Sequence, residues 1–261
     1  MGMDKWAMKS LFKSAGLPVV EGILTHKKKW FHDTEAEVQR VEAVCGGYPV
    51  VVKPVNLGSS IGISKARDRQ QLEEAVETAM EYADRVIVET CVANLREINC
   101  SVLGDLDECQ SSVCEEPLNA TDILTFGDKY ESGSKGSSKG MESLSRKIPA
   151  DLPEDVTEKI QHLAAEAFRA INGNGVARID FMMNNETGEV FINEINTIPG
   201  SLAFYLWQES GIAFDELLDK MIWLAIKRKR EKDALTVTFD TNILSNNALG
   251  GSKGGKMGSK R

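Results

Sequence analysis

Two strand-like runs, Val176–Asn185 and Glu189–Asn196, are separated only by Glu186-Thr187-Gly188, and so short a connection ending in glycine admits a β-hairpin and little else. Such a loop fixes the register, and the register decides which side chains meet. With Asn185 opposite Glu189, Asp180 faces Glu194 and Arg178 faces Asn196, all on one side of the ladder. Directly opposed Cβ atoms lie ~4.5–5.5 Å apart. Two carboxylates and an amide oxygen at that separation suit a hard cation, and Mg²⁺ bridging phosphate oxygens is held by one or two carboxylates. Arg178, one pair further along, then sits beside the metal and is placed to stabilise charge on a transferring phosphoryl group. Alternating charges also describe the solvated outer face of a surface hairpin. Against that, Asn196 runs into Thr197-Ile198-Pro199-Gly200, an irregular turn suited to a pocket rim.

The rest of the chain alternates helix and strand signals. Lys5–Ala15 reads as a helix stopped by Gly16 with Pro18 beyond it, and Val19–Leu24 as a strand. Thr34 with Glu37 forms a capping box for a helix ending at Gly46-Gly47, and Tyr48–Lys53 is an apolar strand. Asp68 with Gln71 opens a helix whose stripe is Leu72, Ala75, Val76, Ala79, Met80 and Ala83, and Arg85–Glu89 follows as a strand. Further strands are predicted at Arg96–Gly104 and Cys109–Cys114. Asp151 and Glu154 cap a helix with Val156, Ile160, Leu163, Ala167 and Ile171 on one face, and a closing helix runs from Phe214 to Glu231.

Two loops carry phosphate-binding material. After Val50-Val51-Val52-Lys53 comes Pro54-Val55-Asn56-Leu57-Gly58-Ser59-Ser60-Ile61-Gly62, small residues with free backbone N–H groups, in an order that is not a Walker A loop. Lys53 places an ammonium at the carboxyl edge of a sheet. Taken alone, the segment reads rather more readily as a glycine-rich turn beside a snorkelling lysine. Residues 126–148 are too poor in apolar groups to order themselves and read as a linker or a lid, with Lys129 placed to reach an anion and Lys135 and Lys139 supplying diffuse charge.

Composition removes several classes. With 31 Lys and Arg against 39 Asp and Glu, the net charge of -8 excludes a generally basic nucleic-acid footprint, so phosphate binding must be local. No apolar run approaches the ~18 residues that cross a bilayer, and residues 1–10 carry Asp4, Lys5 and Lys9 with no signal core, so a cytoplasmic protein is expected. The cysteines Cys45, Cys91, Cys100, Cys109 and Cys114 form no CxxC pair, which favours reduced thiols over a disulfide framework or zinc.

Arg178-Ile179-Asp180-Phe181 followed by Asn193-Glu194-Ile195-Asn196-Thr197-Ile198-Pro199-Gly200 resembles the metal-binding signature of the D-alanine–D-alanine ligases of the ATP-grasp superfamily. Gly2-Met3-Asp4-Lys5, Val52-Lys53-Pro54, Gly58-Ser59-Ser60-Ile61-Gly62, Val88-Glu89 and Asp128-Lys129-Tyr130 match further motifs in the same order, so the resemblance runs from residue 2 to about 244. It implies an α/β (α+β) ATP-grasp fold, two subdomains gripping ATP: 1–88 as the small one and 89–244 as the C-terminal one with a lid at about 126–148. Beyond it 245–261 reads as a disordered tail, since Gly250–Arg261 holds only Gly, Ser, Lys, Met and Arg. By the same resemblance Lys5 and Lys53 contact the ATP phosphates, Glu89 and Val92 the adenine edge, and Glu97 the ribose. Ser59, Ser60 and Gly62 close over the phosphates, and Lys129 contacts the terminal one. Asp180, Glu194 and Asn196 hold Mg²⁺ or Mn²⁺, while Arg178, Lys129, Ser60 and Gly200 stand at the reacting atoms.

The implied reaction makes an acyl phosphate and lets an amine displace phosphate, giving a dipeptide for peptidoglycan synthesis. Catalysis by positioning and charge neutralisation needs no protein nucleophile. The expected partners are ATP and small amino acids, with neither nucleic acid nor membrane. Three departures stand out. Tyr205 falls where a serine for the second amino acid's carboxylate is expected, and the Glu89-to-Glu97 spacing is one residue longer than usual. The family's N-terminal domain does not precede Gly2-Met3-Asp4-Lys5, which raises a homodimer or a partner supplying that domain. A ligase for another amino acid or peptide, and an ATP-binding fragment that needs a partner, are the alternatives.

Overall fold

The computed structural model describes residues 2–58, 61–118 and 146–236. Helix α1 (Lys5–Ser14) starts where Asp4 can cap it, the carboxylate accepting from the Ala7 amide at 2.9 Å. Strands β1 (Gly22–His26), β2 (Val50–Pro54), β3 (Ser64–Ala66) and β4 (Arg85–Thr90) then form an antiparallel sheet in the order β1-β4-β2-β3. Helices α2 (Lys27–His32), α3 (Thr34–Cys45) and α4 (Arg69–Tyr82) cover it. Trp30, Val38, Val41, Leu72, Val76 and Ala79 meet Val50, Val52, Val86 and Val88 in one core. The stripe expected on α4 is buried through Met80, and Ala83 instead ends the helix.

The second sheet contains β5 (Leu95–Gly104), β6 (Cys109–Pro117), β7 (Arg146–Lys147), β8 (Gly175–Asn184) and β9 (Val190–Asn196), antiparallel in the order β7-β6-β5-β8-β9. Helix α5 (Glu154–Ala170) packs Ile160, Ala164, Ala167 and Phe168 against Ile98, Cys100, Ile179, Phe181 and Ile192. Met8 and Phe12 lie in this same core, so α1 packs on the second sheet although the first sheet follows it in the chain. Leu103 and Val176, from the opposite face, meet Trp207 of α6 (Phe204–Glu209) and Leu217 and Leu224 of α7 (Phe214–Asp233).

Of the three expected helix caps, Asp68 holds, its carboxylate accepting from the Gln71 amide at 2.9 Å, and the other two are corrected. Asp33, one residue before Thr34, is the better acceptor and takes the Ala36 amide at 3.0 Å, while the Thr34 hydroxyl donates to the Trp30 carbonyl. Glu37 turns inward instead, accepting from Thr25 and Arg40. Helix α5 begins after Pro153, which offers no side-chain acceptor as its cap, and Asp151 pairs instead with Lys147 at 2.9 Å. Glu154 and Asp155 sit in its first turn, where carboxylates favour the helix dipole. The strand expected at 19–24 is found at Gly22–His26, and short elements at α2, β3, β7 and α6 were not anticipated.

All five cysteines are free. Among the described residues no helix is long and apolar enough to cross a membrane. Residues 1–225 form one compact unit. A second, 226–261, begins within α7, and its described part carries the i,i+4 ion pairs Lys227–Glu231 and Lys229–Asp233. Most of the proposed lid, 126–145, and the tail, 245–261, lie outside the described residues.

Candidate functional site

The expected pairing holds at the far end of the hairpin and fails at its turn. Arg178 pairs with Asn196, Ile179 with Ile195 and Asp180 with Glu194, but nearer the turn Phe181 pairs with Ile192 and Met183 with Val190. The Asn184 amide donates to the Glu189 carbonyl at 2.9 Å, so the turn is one residue longer than expected. A β-bulge at Asn193 takes up that residue. The two offsets cancel, and the carboxylates face each other. The bulge also brings in Asn193, whose Oδ1 accepts from Lys53 Nζ at 3.1 Å.

Each carboxylate is held by cations. Arg178 donates to Asp180 through Nε and Nη2 at 2.7 and 2.8 Å, and Asn196 Nδ2 adds a bond at 2.9 Å. Burial nonetheless pushes the Asp180 carboxyl above its ordinary value, with the Glu194 charge adding to the rise against the pull of Arg178 and Asn196. Lys5 Nζ lies 3.1 Å from Glu194 Oε2. Burial raises the Glu194 carboxyl, but Lys5, Lys53 and Arg178 together hold it below the usual value.

Behind this pair lies Glu89, 1 % exposed, its two oxygens taken by Lys9 and by Lys53, the latter at 2.7 Å. Burial alone would raise this carboxyl, yet the charges of Lys53 and Lys9 bring it down to about 2. Lys9 is lowered to about 8, burial outweighing Glu89. The Glu89 side chain is thus committed to two ammonium groups rather than presented to a base. Sequence reasoning missed Lys9, although it stands one helical turn after Lys5 on the same face.

The loop after β2 is tied to α1, since the Lys5 amide donates to the Val55 carbonyl at 2.9 Å and Lys5 Nζ to the Leu57 carbonyl at 2.8 Å. Gly62 has φ +69°, and a Cβ there would stand 2.8 Å from Pro54 Cγ, so only glycine fits. Ser59, Ser60 and Lys129 lie outside the described residues. Val92 sits in the β4–β5 connection and Glu97 on β5 opposite Met182, both half-buried.

Beyond Asn196, Gly200 opens a tight turn in which Ser201, Leu202 and Ala203 all have φ of 51–55°. That left-handed turn delivers Tyr205, whose hydroxyl donates to Glu115 at 2.9 Å beneath the Arg146 guanidinium, 4.4 Å from the ring centre. Asn99 also donates to Glu115, which is buried. Burial and Glu115 push the Tyr205 hydroxyl up to about 12, so it stays protonated and engaged. This Glu115–Tyr205–Arg146 cluster was not foreseen, because β6, β7 and the turn after β9 meet only in the folded chain.

The donor set fits a hard divalent cation: two facing carboxylates, with the Asn196 carbonyl oxygen left over once its amide nitrogen donates to Asp180. Among the described residues no three His, Cys, Asp or Glu side chains gather as a metal cage.

A family model described as the C-terminus of D-ala D-ala ligase matches residues 11–223. The chain belongs to the D-alanine–D-alanine ligase family. It is 42% identical over 233 residues to a D-alanine–D-alanine ligase of Acetivibrio thermocellus, covering 87% of this chain and 58% of that protein. A second from Bacillus licheniformis is 42% identical over 242 residues, covering 91% and 63%. This member of the ligase family therefore spans about three fifths of the length of those relatives. Among solved structures, the D-alanine-D-alanine ligase from Coxiella burnetii superposes with a TM-score of 0.70 at 29% identity, covering 89% of this chain and 59% of the other. The VanG D-Ala:D-Ser ligase from Enterococcus faecalis gives 0.70 at 29%, covering 85% and 61%. The fold is the expected ATP-grasp fold.

Proposed function

We propose that this ligase-family chain joins two amino acids in an ATP-dependent reaction through an acyl phosphate, as a D-alanine–D-alanine ligase does, within 1–88 and 89–244 as the two gripping subdomains. The observation that carries the reading is the facing of Asp180 and Glu194 with Arg178 beside them on one ladder. Asp180, Glu194 and Asn196 would hold Mg²⁺ or Mn²⁺, which supplies charge neutralisation on the phosphate oxygens.

The remaining roles belong to the chain itself. Lys53, held by Glu89 and Asn193, and Lys5 hold the phosphates of ATP, with Gly62 in the loop over them and Val92 and Glu97 toward the nucleoside. A carboxylate oxygen of the first amino acid attacks the γ-phosphorus, and ADP leaves. The amine of the second attacks the acyl carbon, phosphate leaves with the C–O bond, and the nitrogen loses a proton. Arg178, with Lys129, Ser60 and the Gly200 N–H, balances the negative charge that develops in both steps. Glu89 serves as a positioning residue for Lys53. Peptidoglycan precursor synthesis in the cytoplasm is the setting this reaction fits.

ATP with Mg²⁺ at a hundred times Kd is expected to raise Tm by about 5–10 °C, from ~2.7 kcal/mol of linkage in a domain of this size. D-alanine is expected to trigger phosphate release. Glu194→Gln removes a donor and should cost more than the roughly 10–100-fold lost with an outer-shell partner. Calorimetric titration of ATP with and without Mg²⁺ measures it, and an unchanged variant removes Glu194 from the metal.

A further inference from the structure

The carboxylate pair assigned to the divalent cation carries its own cations, and the two are held differently. Arg178 grips Asp180 with a two-bond fork at 2.7 and 2.8 Å. Lys5 meets Glu194 through a single ammonium at 3.1 Å, with side chains 13% and 31% exposed. The same ammonium donates to the Leu57 carbonyl at 2.8 Å, one residue before Gly58 of the loop assigned to the phosphates. An ammonium is a compact point charge on a flexible stem, easily rehydrated and redirected. Lys5 thus stands within one side chain's reach of both the metal ligand and the phosphate loop.

We propose that Lys5 is a tethered competitor for the divalent cation at Glu194. The cation gains Glu194 by displacing the ammonium, and the displaced ammonium finds its new partner in a nucleotide phosphate. Metal and nucleotide consequently bind with positive coupling, because each relieves the charge that the other leaves uncompensated. The inference rests on the metal and phosphate roles proposed above.

The test titrates Mn²⁺, alone and then with ATP, into the full chain and reads free Mn²⁺ by electron paramagnetic resonance, for wild type, Lys5→Met, Lys5→Arg, Glu194→Gln and Lys5→Met/Glu194→Gln. Lys5→Met is expected to bind Mn²⁺ roughly tenfold tighter than wild type, within the range usual for coupled sites. The gain should vanish in the double variant, and Lys5→Arg, which keeps the charge, should stay near wild type. The Mg²⁺ dependence of ATP affinity should shrink in Lys5→Met. An unchanged or weaker Mn²⁺ affinity in a folded Lys5→Met overturns the competition, while the metal assignment stands if wild type takes up Mn²⁺ with ATP. If Glu194→Gln takes up Mn²⁺ with ATP as well as wild type does, the metal assignment fails and the competition with it.

Discussion

Arg178→Lys is expected to lower D-alanine-dependent phosphate release by about 10²–10³-fold, the scale seen when one donor to developing negative charge is lost. The substitution keeps a positive charge near Asp180 but removes the fork that now spans both its oxygens. ATP affinity should change little, since the phosphates are proposed to rest on Lys5 and Lys53. Arg178→Ala is a different experiment. It strands a half-buried Asp180 whose carboxyl burial already pushes upward, so a stability loss below the roughly 3–5 kcal/mol of a fully buried pair is expected. Phosphate release and calorimetric ATP binding on the lysine variant separate the two effects, and wild-type turnover there would remove Arg178 from the reacting end.

The second large effect is expected at Glu89. Replacing it by Gln leaves Lys9 and Lys53 buried beside each other without the carboxylate that joins them. A cost of about 3–5 kcal/mol follows, or roughly 6–20 °C in Tm for a unit of this size. The pH dependence has a definite sign. The Glu89 carboxyl is near 4.5 in the unfolded chain and about 2 in the folded one. Between those values the unfolded state binds more protons, so the contribution is fully present above 4.5 and drains away as pH falls toward 2. Thermal melts across that window should show the component in wild type and not in Glu89→Gln; identical slopes would mean Glu89 is not the anion holding these lysines. ATP affinity should weaken too, through the lost placement of Lys53.

Much of this was legible before folding because periodicity and short loops are local. The stripe of α4 and the hairpin at 176–196 follow from residue order alone. The facing of Asp180 and Glu194 was read from a turn length that is one residue too short, and it came out right because the bulge at Asn193 compensates. Nothing in the residues from Phe191 to Asn196 announces that bulge. The inward turn of Glu37 was hidden for another reason: a carboxylate three residues after Thr34 has two ways to be satisfied, and Thr25, brought close by β1, offers the buried one together with Arg40 of the same helix. Glu89 shows the same limit, since its two lysines come from α1 and β2 and only the fold counts the charges around it. Tyr205 could be flagged as unexpected, but its partner Glu115 lies ninety residues away.

The placement of α1 has a thermodynamic consequence. Met8 and Phe12 are embedded in the core of the second sheet, while Asp4, Lys9 and the Lys5 amide are bonded to Arg85, Glu89 and Val55 of the first sheet and its loop. Opening either sheet therefore strips partners from a helix on which the other also depends. Sub-global opening of one sheet alone becomes costly, and the two are expected to melt as one cooperative unit instead of as separate foldons. The helix that carries Lys5, the proposed phosphate ligand, is also the element through which loss of order in one sheet is communicated to the other.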